Sequence, residues 1–219
     1  MLEARQRTLS EEHPATLTSM INLINTLKAQ GDLSGARAHQ ERVLEAKRRT
    51  LGAEHQDTLI SMNNLASTLY AQDDLSGARE LEEQVLEARK RALGADHPDT
   101  LTSMDNLALT LHAQGELSGA SALLERVLMG NIRTLGAEHP NTLTSMSNLV
   151  ALIYEQGDVS GACALEEQIF KTCKRILGVK HPNTLASMSN LVILHEALGE
   201  HDKAERLRAE HERLSKSPD

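Results

Sequence analysis

One phrase recurs through this chain at a fixed interval, and it restricts the fold more than any other feature. Its clearest copy runs Leu93-Gly94-Ala95-Asp96-His97-Pro98-Asp99-Thr100-Leu101-Thr102-Ser103-Met104, and the phrase returns 42 residues later from Leu135 to Met146. Further copies at the same spacing begin at Leu9, Leu51 and Leu177. A period between about 20 and 50 residues marks stacked supersecondary units. Such a stack grows by units and need not close around one core, so length alone sets no domain count.

Each unit reads as two helices. The first opens at His-Pro, where a proline at the first helical position loses nothing by lacking an N–H. In the first unit, Leu17, Met20, Leu23, Ile24 and Leu27 fall three and four residues apart, which places them on one helical face. This helix stops at Gln30-Gly31-Asp32, where glycine can take the left-handed conformation that ends helices; Asp73 stands at that point in the second unit and implies mild strain. The second helix runs from about Leu33 to Leu51 with Leu33, Ala36, Val43 and Leu44 inward. The recurring pairs Gly35-Ala36, Gly77-Ala78, Gly119-Ala120 and Gly161-Ala162 suggest close helix–helix approach. Its basic last turn (Lys47, Arg48, Arg49; Arg89, Lys90, Arg91) suits the negative end of the helix dipole and reads as a solvated end. Gly130 lies inside one such helix and leads us to expect a weak or bent spot there. The final helix, His201 to Leu214, is polar enough to serve as a cap.

The palette agrees with helices. There is one Phe, two Tyr and no Trp, whereas strands favour aromatic and β-branched residues. A net charge of −8 argues against a nucleic-acid partner, which calls for a basic stripe. No apolar run reaches the ~18 residues needed for a membrane span, so no membrane association is expected. Met1-Leu2-Glu3-Ala4-Arg5 lacks the apolar run of a signal peptide. Cys163 and Cys173 sit ten residues apart on one helix. That is roughly 15 Å along its axis, too far for a mutual disulfide, and reduced structural thiols in a cytoplasmic protein are the expectation.

These helix pairs, with Leu-Ala at Leu65-Ala66 and Leu107-Ala108, a Gly-Asp turn and a small Ala early in the second helix, resemble tetratricopeptide repeats. The usual unit has 34 residues. The longer unit here, with its Leu-Gly-x-x-His-Pro-x-Thr-Leu linker and Asn-Leu-Ala, looks like the kinesin light chain type. Met62 and its equivalents stand where the common pattern has Trp, and Leu69 or Leu111 where it has Tyr. The resemblance implies an all-α, right-handed α-solenoid spanning residues 1–219 as one domain. Its parts would be a partial helix over 1–12, full repeats over 13–54, 55–96, 97–138 and 139–180, and a last repeat over 181–219 with the polar cap. It also implies that first helices line a concave groove in which peptides bind. The peptide-contacting asparagine of the family falls on Asn22, Asn64, Asn106, Asn148 and Asn190. An Asn amide can pair with both C=O and N–H of a peptide, although the same residues could instead hold repeats in register.

Comparing the copies adds an argument that needs no family. Three rows vary on the Asn side of the first helix: Ile21, Asn63, Asp105, Ser147, Ser189; Asn25, Ser67, Leu109, Ala151, Ile193; and Lys28, Tyr70, His112, Tyr154, Glu196. Tyr70, Leu109, His112 and Tyr154 are the expected side-chain contacts. No catalytic constellation is apparent: there is no glycine-flanked nucleophile and no phosphate loop. Pairs such as Glu82-Glu83 and Glu166-Glu167 are expected on solvated helix faces. Repeating His13, His55, His97, His139 and His181 lie a repeat apart, too distant to share a metal, and are expected to pair with nearby backbone. Cys163, Cys173 and His181 have no paired-ligand spacing, so no metal or cofactor is expected. The functional expectation is a non-catalytic protein–protein interaction scaffold binding a peptide segment of a partner. The alternative is a structural or sensory array within a larger regulator that self-associates or binds intramolecularly. The part-repeat at Met1 to Leu9 favours the alternative, because an open repeat end invites stacking.

Overall fold

The computed structural model describes residue 10 and residues 12–216. The partial helix expected over Met1 to Leu9 therefore lies outside the described residues. Among the described residues there are ten helices and no strand. They are α1 (Pro14–Ala29), α2 (Leu33–Leu51), α3 (Gln56–Ala71), α4 (Leu75–Leu93), α5 (Pro98–Ala113), α6 (Leu117–Leu135), α7 (Pro140–Glu155), α8 (Val159–Ile176), α9 (Pro182–Ala197) and α10 (His201–Lys216). The chain divides into two compact units, Met1–Gly115 and Glu116–Asp219. Within each, every helix packs against its neighbour in sequence, as the all-α repeat fold requires.

The repeated phrase builds the turn between pairs. Gly52, Gly94 and Gly136 follow α2, α4 and α6 with φ of 95°, 91° and 91°, which ends each helix at the cost of no Cβ clash. The next first helix starts on a histidine in extended conformation whose Nδ1 accepts the N–H two residues on, as from Asp99 to His97 at 3.1 Å. Such a side-chain cap satisfies one of the orphan donors of the first turn. All five repeated histidines cap in this way. The expected backbone pairing of these residues is what the structure shows. The threonine of the phrase is fully buried in every unit (Thr16, Thr58, Thr100, Thr142, Thr184). In the two units where it faces back on the glycine, Thr142 and Thr184 donate to the Gly136 and Gly178 carbonyls at 2.8 Å, pinning the turn to the helix it feeds.

Met20, Ile24, Ala36 and Val43 form one apolar cluster, and Leu44, Met62, Leu65, Leu69, Ala78 and Val85 contribute to the next. Ala36, Ala78, Ala120 and Ala162 are wholly inaccessible, in keeping with close helix approach. The glycines beside them serve another purpose. A Cβ at Gly35 would stand 2.4 Å from Asp32 Oδ2, the side chain that caps the helix by accepting the Gly35 N–H at 2.8 Å. Gly77 and Gly161 are crowded by Asp74 and Asp158 in the same manner. The expectation that both small residues serve helix approach is therefore corrected for Gly35, Gly77 and Gly161, which make room for the capping carboxylate; before Gly119 the cap is Glu116, whose side chain makes no cap bond.

Two further expectations change. Helix α6 runs through Gly130 without interruption, with Gly130 and Asn131 buried. Asn131 donates to Ser145 Oγ at 2.8 Å, and that bond ties α6 to α7 at the suspected weak point. Arg89 holds the same place in the second unit and is not solvated: it is 7% exposed and donates to Asp99 O and Ser103 Oγ, both at 2.9 Å. Arg49 and Arg91 do keep their charge at the surface, each paired with an acid of the preceding linker (Glu12 at 3.1 Å, Glu54 at 2.6 Å).

Asp73 carries the expected strain, with φ at 64° where the other units place glycine. A side chain in this region costs roughly 1 kcal/mol. Asp73→Gly is expected to raise the unfolding free energy by about 0.5–1 kcal/mol, part of the gain being offset by the freer unfolded chain. Chemical denaturation followed by circular dichroism measures it; a loss of stability would mean that Asp73 makes a compensating bond.

Candidate functional site

The first helices bury one stripe and leave the other to solvent. In α3, Leu59, Met62, Leu65, Ala66 and Leu69 are buried, while Asn64, Ser67 and Tyr70 are exposed. This follows from helical geometry, since residues one and two steps off the apolar stripe cannot share its face. Asn22, Asn64, Asn148 and Asn190 are exposed and Asn106 is half-buried. The second and third variable rows are exposed throughout, including Tyr70 (41%), Leu109 (59%), Tyr154 (43%) and His112. The first row differs, because Asn63, Asp105 and Ser189 are half-buried.

In each unit a cleft opens between consecutive first helices and is floored by the second helix between them. In the N-terminal unit a cleft of about 260 Å³ is lined by Ile21, Lys28, Gln40, Lys47, Ile60 and Asn64. In the C-terminal unit a cleft of about 250 Å³ is lined by Leu143, Ser147, Glu166, Ile169, Ala186 and Asn190. The repeat places these two clefts at corresponding positions. Asn64 and Asn190 form the same edge, and Gln40 and Glu166 the same floor.

That floor was misread from sequence. Glu82 and Glu166 are 5% and 1% exposed, not on solvated faces. An amphipathic pattern hides this because the next residue, Glu83 or Glu167, does reach solvent. Gln40 shows what the position is built for: its Nε2 donates to the Asn64 carbonyl at 2.9 Å. At the matching place burial pushes the Glu82 carboxyl above its usual range, with Thr110 opposing. Burial likewise raises Glu166, opposed by hydrogen bonds from Ser187 and Asn190.

Asp105 stands beside Asn106 in the half-buried row. Burial alone pushes its carboxyl up to about 6, and its Oδ1 is buried with no hydrogen-bond partner. A carboxylate desolvated in this way costs free energy until it is protonated or finds a donor.

Sequence spacing also missed a cluster in the C-terminal unit. Cys163 on α8 and His195 on α9 are buried, and one ligand atom from each lies within 4.8 Å of the other and of a Glu167 oxygen. Cys163 Sγ is 3.9 Å from His195 Nδ1, which is also 2.7 Å from Glu200 Oε2. Because thiol and carboxylate meet the same ring nitrogen, the group is not a Cys–His–acid relay, which needs one partner on each nitrogen. Burial, and then the Glu167 and Glu200 charges, push the thiol above its ordinary range, with Lys203 opposing. The available signal was the departure from the repeat: Arg37, Arg79 and Ser121 precede Cys163 at its position, and Leu27, Leu69, Leu111 and Ile153 precede His195. No described helix is long and apolar enough to cross a membrane.

Comparison with known proteins places this geometry. The tetratricopeptide repeat pattern matches residues 16–57, 58–99 and 100–141, each one 42-residue unit, and a second pattern of the same description matches 147–217. A protein of kinesin light chain type from Podosopora anserina, with nearly identical TPR-like repeats, superposes with a TM-score of 0.82 at 31% identity, over 93% of this chain and 96% of its own. BtubC (BKLC) from P. vanneervenii reaches 0.77 at 18% identity, over 100% of this chain and 90% of its own. YrrB, a TPR protein with an unusual peptide-binding site, reaches 0.59 at 13% identity, over 97% and 90%; at such identity the likeness is one of fold. No curated protein sequence matches.

Proposed function

Since the chain belongs to the tetratricopeptide repeat family, in its kinesin light chain-like 42-residue form, we propose that it is a non-catalytic scaffold for protein–protein interaction. Within a compact unit, it takes an extended segment of a partner along the exposed face of that unit's first helices. The observation that carries this reading is the combination of a constant and a varied element on one face. Asparagine recurs at Asn22, Asn64, Asn106, Asn148 and Asn190, while the exposed rows beside it change in every unit. A constant amide offers paired bonds to any peptide backbone, and varied neighbours supply selectivity. Tyr70, Leu109 and Tyr154 present apolar anchors, with His112 beside them, and such exposed apolar side chains are where binding energy concentrates. Asp105 adds an acceptor for a donor or cationic side chain. YrrB, a fold neighbour described as having a peptide-binding site, lends support.

The test is a peptide-library screen against the full chain, with Asn22→Ala/Asn64→Ala and Asp105→Asn as variants. Both asparagines are exposed, so the double variant keeps the fold, which circular dichroism verifies. Loss of about 10-fold or more in affinity in the double variant is expected, from two backbone-directed bonds at roughly 1 kcal/mol each. Asp105→Asn should discriminate most against ligands bearing Lys or Arg. Selected peptides that bind parent and double variant equally would overturn the asparagine assignment. Failure to select any peptide, together with a mass that rises with concentration, would move the reading to self-association.

A further inference from the structure

The last helix-pair interface in the C-terminal unit departs in a chemically specific way from the first two repeats, and from the third, where Ser121 already replaces the arginine. In the first unit Arg37 stands between two carboxylates, bonding Glu41 on its own helix at 2.9 Å and Asp74 at the start of the next second helix at 3.1 Å. Advancing three periods converts these to Cys163, Glu167 and Glu200. Both acids remain and the guanidinium is gone. A thiol occupies its place, and the facing leucine has become His195. From this we infer that Cys163, Glu167 and His195, with Glu200 at hand, form a binding site for a divalent cation of the zinc class.

The donor set is the reason for that class. A thiolate, an imidazole and carboxylates together suit a borderline-soft ion with tetrahedral preference, and not magnesium or calcium, which take oxygen. Bond lengths to zinc put a sulfur and a nitrogen ligand about 3.5 Å apart across a tetrahedral angle. Cys163 Sγ and His195 Nδ1 are already at 3.9 Å. All three ligand atoms lie within 4.8 Å of one another, so rotamer-scale closure completes the set. Glu200 Oε2 is 2.7 Å from the same nitrogen, closer than two ligands of one zinc stand, and reaches the fourth position only by moving off it. On binding, the thiol proton leaves to solvent and the cation restores the positive charge that arginine supplies in the first unit. Lys203 supplies part of that charge at present, holding Glu200 at 2.9 Å and 3.0 Å.

The site also has a physical task. Helix α10 buries only Ala204 among its residues and so gains little from apolar packing. Glu200 precedes α10 directly, and a cation shared with α8 and α9 would clamp the cap to the stack.

Cobalt(II) serves as the probe, titrated into the reduced full chain and then displaced by zinc. We expect one equivalent bound, a near-ultraviolet thiolate-to-cobalt band, and a raised melting temperature. Cys163→Ser and His195→Leu should each weaken binding at least about 100-fold, beyond the usual penalty for losing an outer partner. His195→Leu installs the residue that other units carry, so it keeps the fold, as circular dichroism would show. Cys173→Ser should bind as the parent does. Absence of the thiolate band, or a band that survives Cys163→Ser or is unaffected by His195→Leu, would overturn the assignment.

Discussion

Met104→Ala is expected to lower the unfolding free energy by about 3 kcal/mol, within the 2–5 kcal/mol range for a large buried side chain cut to alanine. Met104 is 1% exposed, and Met20, Met62, Met146 and Met188 occupy the same place in the other units, all buried. Met104 has almost no exposed surface, so removing three heavy atoms leaves a cavity that the surrounding side chains can close only in part. Met104→Leu should cost under about 1.5 kcal/mol, because volume is kept while shape changes. Guanidinium unfolding followed by circular dichroism distinguishes the two. In an array held by nearest-neighbour contacts, the alanine variant should also broaden the transition as the halves lose cooperativity. A cost below about 1 kcal/mol would contradict the packing described.

Glu82→Gln is expected to stabilise the protein by about 1–2 kcal/mol at pH 7 and hardly at all at pH 4. Gln40 supplies the precedent, donating at the equivalent place to the Asn64 carbonyl. Burial raises the Glu82 carboxyl from its ordinary value of 4.5 in the folded state. Folding therefore takes up a proton between the unfolded and folded values. Below 4.5 both states are protonated and the group costs nothing. As pH rises through the raised value, the folded state must hold a buried charge and stability falls. Glutamine removes that fall, so its advantage should grow with pH and then level off. An advantage independent of pH would show that the carboxyl is not desolvated. Asp105, pushed up to about 6, contributes to the parent's decline in the same direction, so the comparison is made between variant and parent at each pH.

Much of the fold was legible because the determinants are local and repeated. The turn phrase names its own chemistry: glycine for positive φ, histidine for the cap, proline for the first helical position, threonine for the turn. The exposed rows were legible as well, since a helix with a fixed apolar stripe has a fixed opposite face. Asp73 could be read as strained without coordinates, because four other units show what the position prefers.

What could not be read was the fate of polar residues near the edge of that stripe. Glu82 and Glu83 are neighbours in sequence, yet a 100° rotation buries one beneath the next first helix and leaves the other wet. Gly35 was assigned to helix packing, when its missing Cβ admits the capping Asp32 carboxylate. Gly130 was expected to make a weak or bent spot in α6, yet the helix runs through it unbroken, with Asn131 bonded to Ser145 beside it. Arg89 looked like a solvated helix end and proved to be a buried donor.

The sequence by itself determined the repeat, the helix pairs, their boundaries and the face that stays exposed, because each depends on residues within one turn or one helix. Only the tertiary structure decided which polar groups are desolvated and which partners they meet. It brought Cys163, Glu167, His195 and Glu200 together from two helices and a turn, and it set Glu166 against Ser187 and Asn190. Those outcomes depend on how adjacent helices stack, and a periodic pattern gives the direction of a side chain without the identity of the atoms it reaches.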